Sequence, residues 1–219
     1  MSEPAVSTAR APAASAIYDP LTAPDPGRGD AHAPSYWAAT AGEAPPDDGP
    51  LAQSLDTDVA VIGAGYTGLG CAAFLARDHG ARPVVLEANR PLWGCSGRNG
   101  SFARPVIGRV ALSRWLERFG ENGARALFEE SFAALDTVRG LIRDGNIDCD
   151  VQPDGTLRVA HSEAACRELE SDWRLLEQRF GYRTELLTPA DLAAAHFRSG
   201  DAHGALRSPD GFGMHPLKL

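Results

Sequence analysis

The segment from Gly63 to Gly68, Gly-Ala-Gly-Tyr-Thr-Gly, constrains the fold of this chain more than any other part of the sequence. It follows the apolar run Val59 to Ile62 and precedes an Ala/Leu-rich run that continues to Arg77. In a G-x-G-x-x-G turn, the first glycine allows a tight reversal after a strand, the second leaves room for a pyrophosphate, and the third lets the next helix approach the sheet. The pattern therefore predicts a parallel strand covered on both faces, followed by a helix whose N-terminus faces an anion.

A second apolar run, Val84 to Leu86, is followed by Glu87, which lies 24 positions after Gly63. This is close to the spacing of about 20 residues at which an acidic side chain accepts hydrogen bonds from the ribose hydroxyls of a bound adenosine. A carboxylate at that place repels a 2′-phosphate, so NADP is the least favoured dinucleotide. The alternative is a βαβ crossover with a glycine-rich turn and no ligand.

The composition of the chain excludes several classes of protein. Of its 219 residues 43% are hydrophobic, and its net charge is −8, so a packed core is expected and no basic surface for nucleic acid is indicated. No apolar run reaches the roughly 18 residues that a membrane span requires. The four cysteines stand singly, without the spacing of a zinc site, and indicate a reduced, cytoplasmic compartment. We predict no metal site, no nucleic-acid partner and no membrane span.

The chain divides by composition into three predicted segments. Residues 1–54 form an Ala/Pro-rich arm that we expect to be disordered, apart from the aromatic segment Ser35 to Thr40, which should pack back as a turn or short helix. Residues 55–109 contain the predicted βαβ unit and a glycine-rich loop after it. Residues 110–219 mix helical and strand patterns and form a second, α+β region.

Periodicity and turn residues predict the elements of this second region. They are two helices, a β-hairpin, a capped helix, a short strand, another capped helix and a final strand. In chain order the predicted ranges are Val110 to Phe119, Glu121 to Asp144, Ile147 to Val151 paired with Thr156 to His161, Ser162 to Phe180, Thr184 to Leu187, Thr188 to about His196, and a strand that ends before Pro216.

Three motifs carry a resemblance to a known family. Residues 61–69 read V-I-G-A-G-Y-T-G-L, residues 86–88 read L-E-A, and residues 94–100 read G-C-S-G-R-N-G. With these motifs the chain resembles the N-terminal half of the flavin-dependent D-amino-acid-oxidase superfamily, and within it the γ-glutamylputrescine oxidases and related amine or glycine oxidases. The third motif is the more specific, because NAD enzymes share the glycine turn. The resemblance begins near Ser35 and continues to the last residue.

The resemblance implies an α/β fold, with a Rossmann-like FAD-binding βαβ unit and a partial, truncated α+β substrate domain. It implies FAD as the cofactor, bound noncovalently, because Asn99 stands where relatives with covalent flavin have a histidine. The glycine turn would hold the pyrophosphate, Glu87 the adenosine ribose, and the loop Ser96 to Gly100 the pyrophosphate, ribityl chain and flavin ring. The implied cofactor-binding residues are Gly63, Ala64, Gly65, Tyr66, Thr67, Gly68, Glu87, Ser96, Gly97, Arg98, Asn99 and Gly100.

The activity implied by the resemblance is oxidation of an amine or amino acid by hydride transfer to flavin N5. No catalytic residue is identified, and the six histidines are interpreted as structural. Two other hypotheses stay open, an NAD-dependent dehydrogenase and a non-catalytic nucleotide-binding remnant. The family continues past the last residue, so we expect either a truncated copy or one whose missing half comes from a partner or a further segment. We expect the isolated chain to bind FAD weakly or to fold incompletely.

Overall fold

The structure, a computed structural model, describes residues 29–105, 110–195 and 198–219. These ranges contain five α-helices, seven short strands and one 3₁₀ turn. In chain order they are α1 (Tyr36–Thr40), β1 (Val59–Ile62), α2 (Tyr66–His79), β2 (Pro83–Leu86), the 3₁₀ turn (Cys95–Gly97), β3 (Phe102–Ala103), α3 (Leu112–Asp144), β4 (Thr156–Ala160), α4 (Glu163–Phe180), β5 (Glu185–Leu187), α5 (Pro189–Ala195), β6 (Gly204–Ser208) and β7 (Phe212–Gly213).

The chain folds as two compact units. Among the described residues, the first unit consists of 29–32 and 52–93, and the second consists of 33–51, 94–105, 110–195 and 198–219. The boundary between Trp93 and Gly94 differs from the predicted one at residue 109, so the loop Ser96 to Gly100 belongs to the second unit. The predicted disorder of residues 1–28 lies outside the described residues.

The first unit contains the predicted βαβ motif. β1 and β2 form a two-stranded parallel sheet in which Val59 pairs with Pro83 and Ile62 with Leu86. α2 connects the two strands and packs against both of them. It ends at Gly80, whose left-handed backbone with a φ of 61° closes the last turn. The predicted order of strand, glycine turn, helix and strand is confirmed.

The prediction that the first strand is covered on both faces is wrong. Exposure alternates along β1, and Ile62 is 89% exposed. Successive side chains of a strand point to opposite faces, and Val61 points toward the helix, where its Cγ1 lies close to Gly68. Because the described sheet has only two strands and one helix against it, the alternate residues of β1 face away from that helix.

Two glycines make the turn between β1 and α2 possible. Gly63 has a φ of 98°, in the region that side chains with a Cβ rarely adopt. Gly68 lies so close to the turn that a Cβ built on it would stand 1.9 Å from the carbonyl oxygen of Gly63. The missing side chain at Gly68 therefore lets the first turn of α2 lie against the carbonyl of Gly63.

The second unit is built on a three-stranded antiparallel sheet in the order β4-β6-β5. Thr156 pairs with Ser208 and Glu185 with Arg207, while β3 and β7 form a separate antiparallel pair. α4 packs against this sheet and against α3. Its main core consists of Leu112, Trp115, Ala124, Phe128, Ala160, Leu169, Leu176, Phe180 and Leu206.

A break at Gly120 divides α3 into two helical segments. The backbone there, with φ 65° and ψ −179°, is not helical. The predicted pair of helices, one ending at Phe119 and the next beginning at Glu121, is therefore confirmed. The apolar stripe of the second segment is buried at Ala124, Phe128 and further along, and this burial fixes it against α4.

The predicted N-caps of α4 and α5 are confirmed. The Oγ of Ser162 accepts a hydrogen bond from the Ala165 N–H at 3.2 Å. Thr188 and Asp191 form the reciprocal capping box, because each accepts from the other's backbone N–H, at 3.2 and 3.1 Å. The predicted end of the last helix near His196 lies outside the described residues.

The predicted hairpin of residues 147–151 with residues 156–161 is wrong. β4 pairs with β6, a strand that the sequence patterns did not predict, and residues 147–151 form no strand. Asp150 has a left-handed backbone with a φ of 52°, which interrupts an extended run. The carbonyl of Cys149 accepts a hydrogen bond from the His215 N–H at 2.7 Å instead of pairing with β4.

The close approach at Gly68 predicts opposite effects for two alanine substitutions in the same helix. Gly68→Ala should destabilise the chain by at least about 2 kcal/mol, because its Cβ overlaps the Gly63 carbonyl. Gly70→Ala is the matched control and should stabilise it by about 0.5 to 1 kcal/mol, because no atom lies within 4 Å of the added Cβ. Urea unfolding followed by circular dichroism measures both changes. Equal effects at the two positions would contradict the turn geometry.

Candidate cofactor-binding site

The glycine turn is fixed by backbone hydrogen bonds to the segment that follows β2. The N–H of Gly63 donates to the Leu86 carbonyl at 2.7 Å, and the N–H of Leu92 donates to the Ala64 carbonyl at 2.8 Å. Ala64 is 3% exposed. The turn is therefore held in one place relative to β2 before any ligand arrives.

The side chain of Glu87 bends back to this turn. One carboxylate oxygen, Oε2, accepts from the Ala64 N–H at 2.8 Å, and the other, Oε1, accepts from the Asn89 N–H at 3.0 Å. Each oxygen of an ionised carboxylate has room for a further donor, and the residue is exposed. Glu87, the acid that the sequence spacing predicts as a ribose contact, thus lies at the glycine turn. Its carboxylate can still accept further hydrogen bonds.

The residues that begin α2 bring no negative charge of their own to its N-terminus. Its N-cap is Gly65, which has no side-chain hydrogen bond, and the first turn contains no acidic residue. The last turn contains Arg77 and His79, at the end where a positive charge is favourable. A helix of 14 residues with an uncapped start provides backbone N–H groups and a partial positive charge for an anion. In these respects the residues present fit the pyrophosphate of a dinucleotide.

The loop Ser96 to Gly100, in the second unit, is closed by the side chain of Asn99. Its Nδ2 donates to the Ser96 carbonyl at 2.8 Å, and its Oδ1 accepts from the Ser101 N–H at 2.7 Å. Arg98 is exposed, and its Nε donates to the Gly94 carbonyl at 3.3 Å. The Asn99 side chain therefore determines the shape of the loop, a role that sequence reasoning did not assign to it.

Ser101 ends this loop in a strained conformation. Its φ is 66°, and its side chain is 6% exposed, with no hydrogen-bond partner for Oγ among the described residues. An L-residue in the left-handed region costs about 1 to 2 kcal/mol. The strain lies directly after the motif that carries the family resemblance.

The structure brings the predicted residues together in two sets. Gly63 to Gly68 and Glu87 meet at the end of the parallel sheet in the first unit, and Ser96 to Gly100 form one loop in the second.

Sequence reasoning missed two contacts near these sets. In the first unit, the N–H of Gly29 donates to the Ala88 carbonyl at 2.9 Å, directly after Glu87. In the second, the indole Nε1 of Trp37 donates to the Asn99 carbonyl at 3.2 Å. The aromatic residues between two proline-rich stretches indicated that α1 packs on the folded chain. They did not indicate which loop it contacts.

The described ranges contain neither a metal-binding cluster nor a helix able to span a membrane. No three His, Cys, Asp or Glu side chains there gather closely enough to hold a metal ion. None of the helices in those ranges combines the length and the apolar character needed to cross a membrane.

Comparison with known proteins identifies a family. The family described as DAO, FAD dependent oxidoreductase, matches residues 58–219. The chain is 34% identical over 196 residues to the gamma-glutamylputrescine oxidoreductase of Escherichia coli (strain K12), covering 86% of this chain and 43% of that protein. It is 31% identical over 168 residues to the probable oxidoreductase OrdL of Haemophilus influenzae, covering 77% and 38%. The chain thus spans less than half the length of these relatives.

Solved structures share the fold at lower identity. Glycine oxidase from Geobacillus kaustophilus matches 74% of this chain and 41% of its own, with a TM-score of 0.54 and 17% identity. L-amino acid deaminase from Proteus vulgaris matches 77% of this chain and 37% of its own, with a TM-score of 0.55 and 18% identity. At such identities the likeness concerns the fold alone.

These comparisons confirm the family resemblance that the sequence motifs carry. They also confirm FAD as the cofactor predicted from that resemblance, because the matching family is defined by its dependence on FAD. None of the matches reported above supports the NAD-dependent alternative. This chain belongs to the DAO family of FAD dependent oxidoreductases.

Proposed function

We propose that this chain binds FAD noncovalently, with the adenylate half at the glycine turn Gly63 to Gly68 and the ribose at Glu87. The observation that carries the proposal is the hydrogen bond of 2.8 Å from the Ala64 N–H to the Glu87 carboxylate. It supports the proposal because the Glu87 carboxylate, which would accept the ribose hydroxyls, lies beside the backbone that would receive the pyrophosphate. The loop Ser96 to Gly100 is proposed, from the family resemblance, as a further contact to FAD.

Each group at the turn would have a separate role. The uncapped N-terminus of α2 would offset the negative charge of the pyrophosphate through its dipole and N–H groups. Glu87 would accept the ribose hydroxyls and repel a 2′-phosphate, which selects against NADP. Gly65 would leave the backbone accessible where a side chain would exclude the ligand.

The proposed reaction is the oxidation of an amine or amino acid. When bound, FAD would supply the hydride acceptor, flavin N5. The hydride would come from the substrate carbon next to the amine nitrogen. Support for this substrate class comes from the names of the relatives, a gamma-glutamylputrescine oxidoreductase, a glycine oxidase and an L-amino acid deaminase. Because the chain spans less than half of these proteins, FAD binding is proposed for the chain itself and substrate oxidation for the whole protein.

Gly65→Val tests the turn as a binding surface. The backbone at Gly65, with φ −81° and ψ 177°, is one that any residue adopts, so the substitution adds no backbone strain. Valine is a poorer N-cap than glycine, so the melting temperature without FAD should fall by a few degrees while the chain still folds. We expect FAD affinity to fall at least about 30-fold, because the side chain occupies the place of the pyrophosphate. Isothermal titration calorimetry with FAD measures this change, and Gly70→Ala, in the same helix, should retain the wild-type affinity. Wild-type affinity in Gly65→Val would contradict the assigned turn.

Glu87→Gln tests the ribose contact and the selection against 2′-phosphates. We expect ADP to bind the wild type more tightly than adenosine 2′,5′-bisphosphate, and the substitution to weaken ADP about tenfold or more, the range for a hydrogen bond to a charged group. The preference between the two nucleotides should shrink, because the repelling charge is lost. Asp78→Asn removes an equal charge from the exposed end of α2 and should change neither affinity. An unchanged preference in Glu87→Gln would place the ribose elsewhere.

A further inference from the structure

The short helix α1 contacts the loop Ser96 to Gly100 within the second unit. The indole Nε1 of Trp37 donates to the Asn99 carbonyl at 3.2 Å, and the same Asn99 closes the loop with its side chain. The indole of Trp37 also packs against the ring of His215 in an edge-to-face arrangement. The two ring centroids are 5.1 Å apart, and the ring planes are inclined at 74°. A helix that precedes the βαβ unit in the chain thus contacts the most specific family motif.

His215 is buried and holds α1 through a chain of hydrogen bonds. The residue is 3% exposed. Its Nδ1 accepts from the Leu217 N–H at 3.3 Å, so in the neutral ring the proton is on Nε2. Nε2 lies 3.0 Å from the Thr40 Oγ1, to which it donates, and the Thr40 hydroxyl donates to the Tyr36 carbonyl at 2.7 Å. In this series of hydrogen bonds, both ring nitrogens of His215 keep their partners when the imidazole is neutral.

We propose that α1 is a positioning element for the loop Ser96 to Gly100, and that the neutral imidazole of His215 holds α1 in place. We call the contacts Trp37–Asn99 and Thr40–His215 the α1 anchor. The inference rests on the proposed contact of this loop to FAD. The loop takes its binding shape only while the α1 anchor is intact. FAD affinity therefore depends on the protonation of His215, a residue that need not contact FAD.

Protonation of His215 disrupts the anchor for two reasons. A proton on Nδ1 faces the Leu217 N–H, so a donor meets a donor and the hydrogen bond is lost. The ring also becomes a cation in a buried position, and the cost of burial outweighs the attraction of the Asp150 carboxylate, which is already paired with Lys218. Movement of the ring away from this position removes the surface against which Trp37 packs and the partner of Thr40.

The groups around His215 determine the pH at which this occurs. Burial lowers the pKa of His215 below the ordinary value for histidine, and the Lys218 ammonium lowers it further. The Asp150 carboxylate and a hydrogen bond to the backbone of His215 itself act in the opposite direction, but the net shift is downward. Lys218 and Asp150 are themselves an ion pair at 2.9 Å. The adjoining Cys149 has a thiol whose pKa is raised by burial, so it stays neutral, and α1 brings no charged side chain.

The direction of the pH effect follows from these shifts. An unfolded or released His215 takes up a proton near pH 6.5, whereas the anchored ring does so only at lower pH. Between the two values the released form binds more protons, so acid favours release. The anchor should therefore be fully formed above about pH 6.5 and be lost as the pH falls below that value.

The test follows the indole N–H signals of the ¹⁵N-tryptophan-labelled full chain by NMR between pH 8 and pH 5. The signal of Trp37, assigned with Trp37→Phe, should be protected from hydrogen exchange at pH 7.5. As the pH falls, this signal should move to the chemical shift of a solvent-exposed indole. The midpoint of that change should lie below pH 6.5 and should equal the midpoint of the His215 ring titration. An indole that exchanges freely at pH 7.5, or that keeps its position through the titration of His215, overturns the inference.

His215→Gln and His161→Gln form a matched pair of variants. Glutamine keeps an amide donor for Thr40 but does not titrate, so His215→Gln should abolish the acid transition of Trp37. His161 is exposed at the end of β4 in the same unit, and its substitution should leave the transition unchanged. An acid transition that persists in His215→Gln overturns the inference, and the wild-type titration remains decisive if that variant does not fold.

FAD titrations separate this inference from the proposed function. Wild-type affinity for FAD should fall about three- to tenfold across the same pH midpoint, and should be flat in His215→Gln. A wild type that binds FAD with an affinity independent of pH across the transition overturns the positioning role while the proposed function stands. A wild type that binds no FAD at any pH, with the Trp37 transition present, overturns the proposed function and with it the link from the anchor to the cofactor.

Discussion

The hydrogen bond between the Ala64 N–H and the Glu87 carboxylate connects the two features on which the candidate site depends. One is a turn that only small residues permit, because Gly63 has a φ of 98° and Gly68 lies against the Gly63 carbonyl. The other is an acid at the end of the neighbouring strand. The parallel register, in which Ile62 pairs with Leu86, makes the two meet, because the carboxyl ends of parallel strands lie at the same edge of a sheet.

The second unit depends on a different set of forces. Its core joins the apolar faces of α3 and α4 to a three-stranded sheet, and the loops at its margin are shaped by single side chains. Asn99 closes the loop of the family motif. His215 is buried between α1 and the segment near Cys149, and its hydrogen bond to Thr40 joins residues 175 positions apart in the sequence. Apolar burial thus supplies the body of the unit, while a few hydrogen-bonded polar groups define its loops.

Local patterns predicted the βαβ unit, the break at Gly120 and the caps of α4 and α5, because each is specified by residues close together in the sequence. They failed where the partner is distant. β6 was missed and a hairpin was predicted for residues 147–151, because two helices and a strand, α4, β5 and α5, separate β4 from its partner β6 in the sequence. The exposure of Ile62 was also missed, because an apolar run does not reveal how many strands or helices cover it. The sequence spacing predicted that Glu87 lies beside the glycine turn, whereas the contact of Trp37 with Asn99 has no local signal.

A crystal structure of the chain grown with ADP tests the central claim most directly. The account predicts density for the diphosphate against the backbone N–H groups at the start of α2, and ribose hydroxyls within hydrogen-bond distance of the Glu87 carboxylate. ADP bound elsewhere, or a Glu87 side chain turned away from a bound ribose, would contradict it.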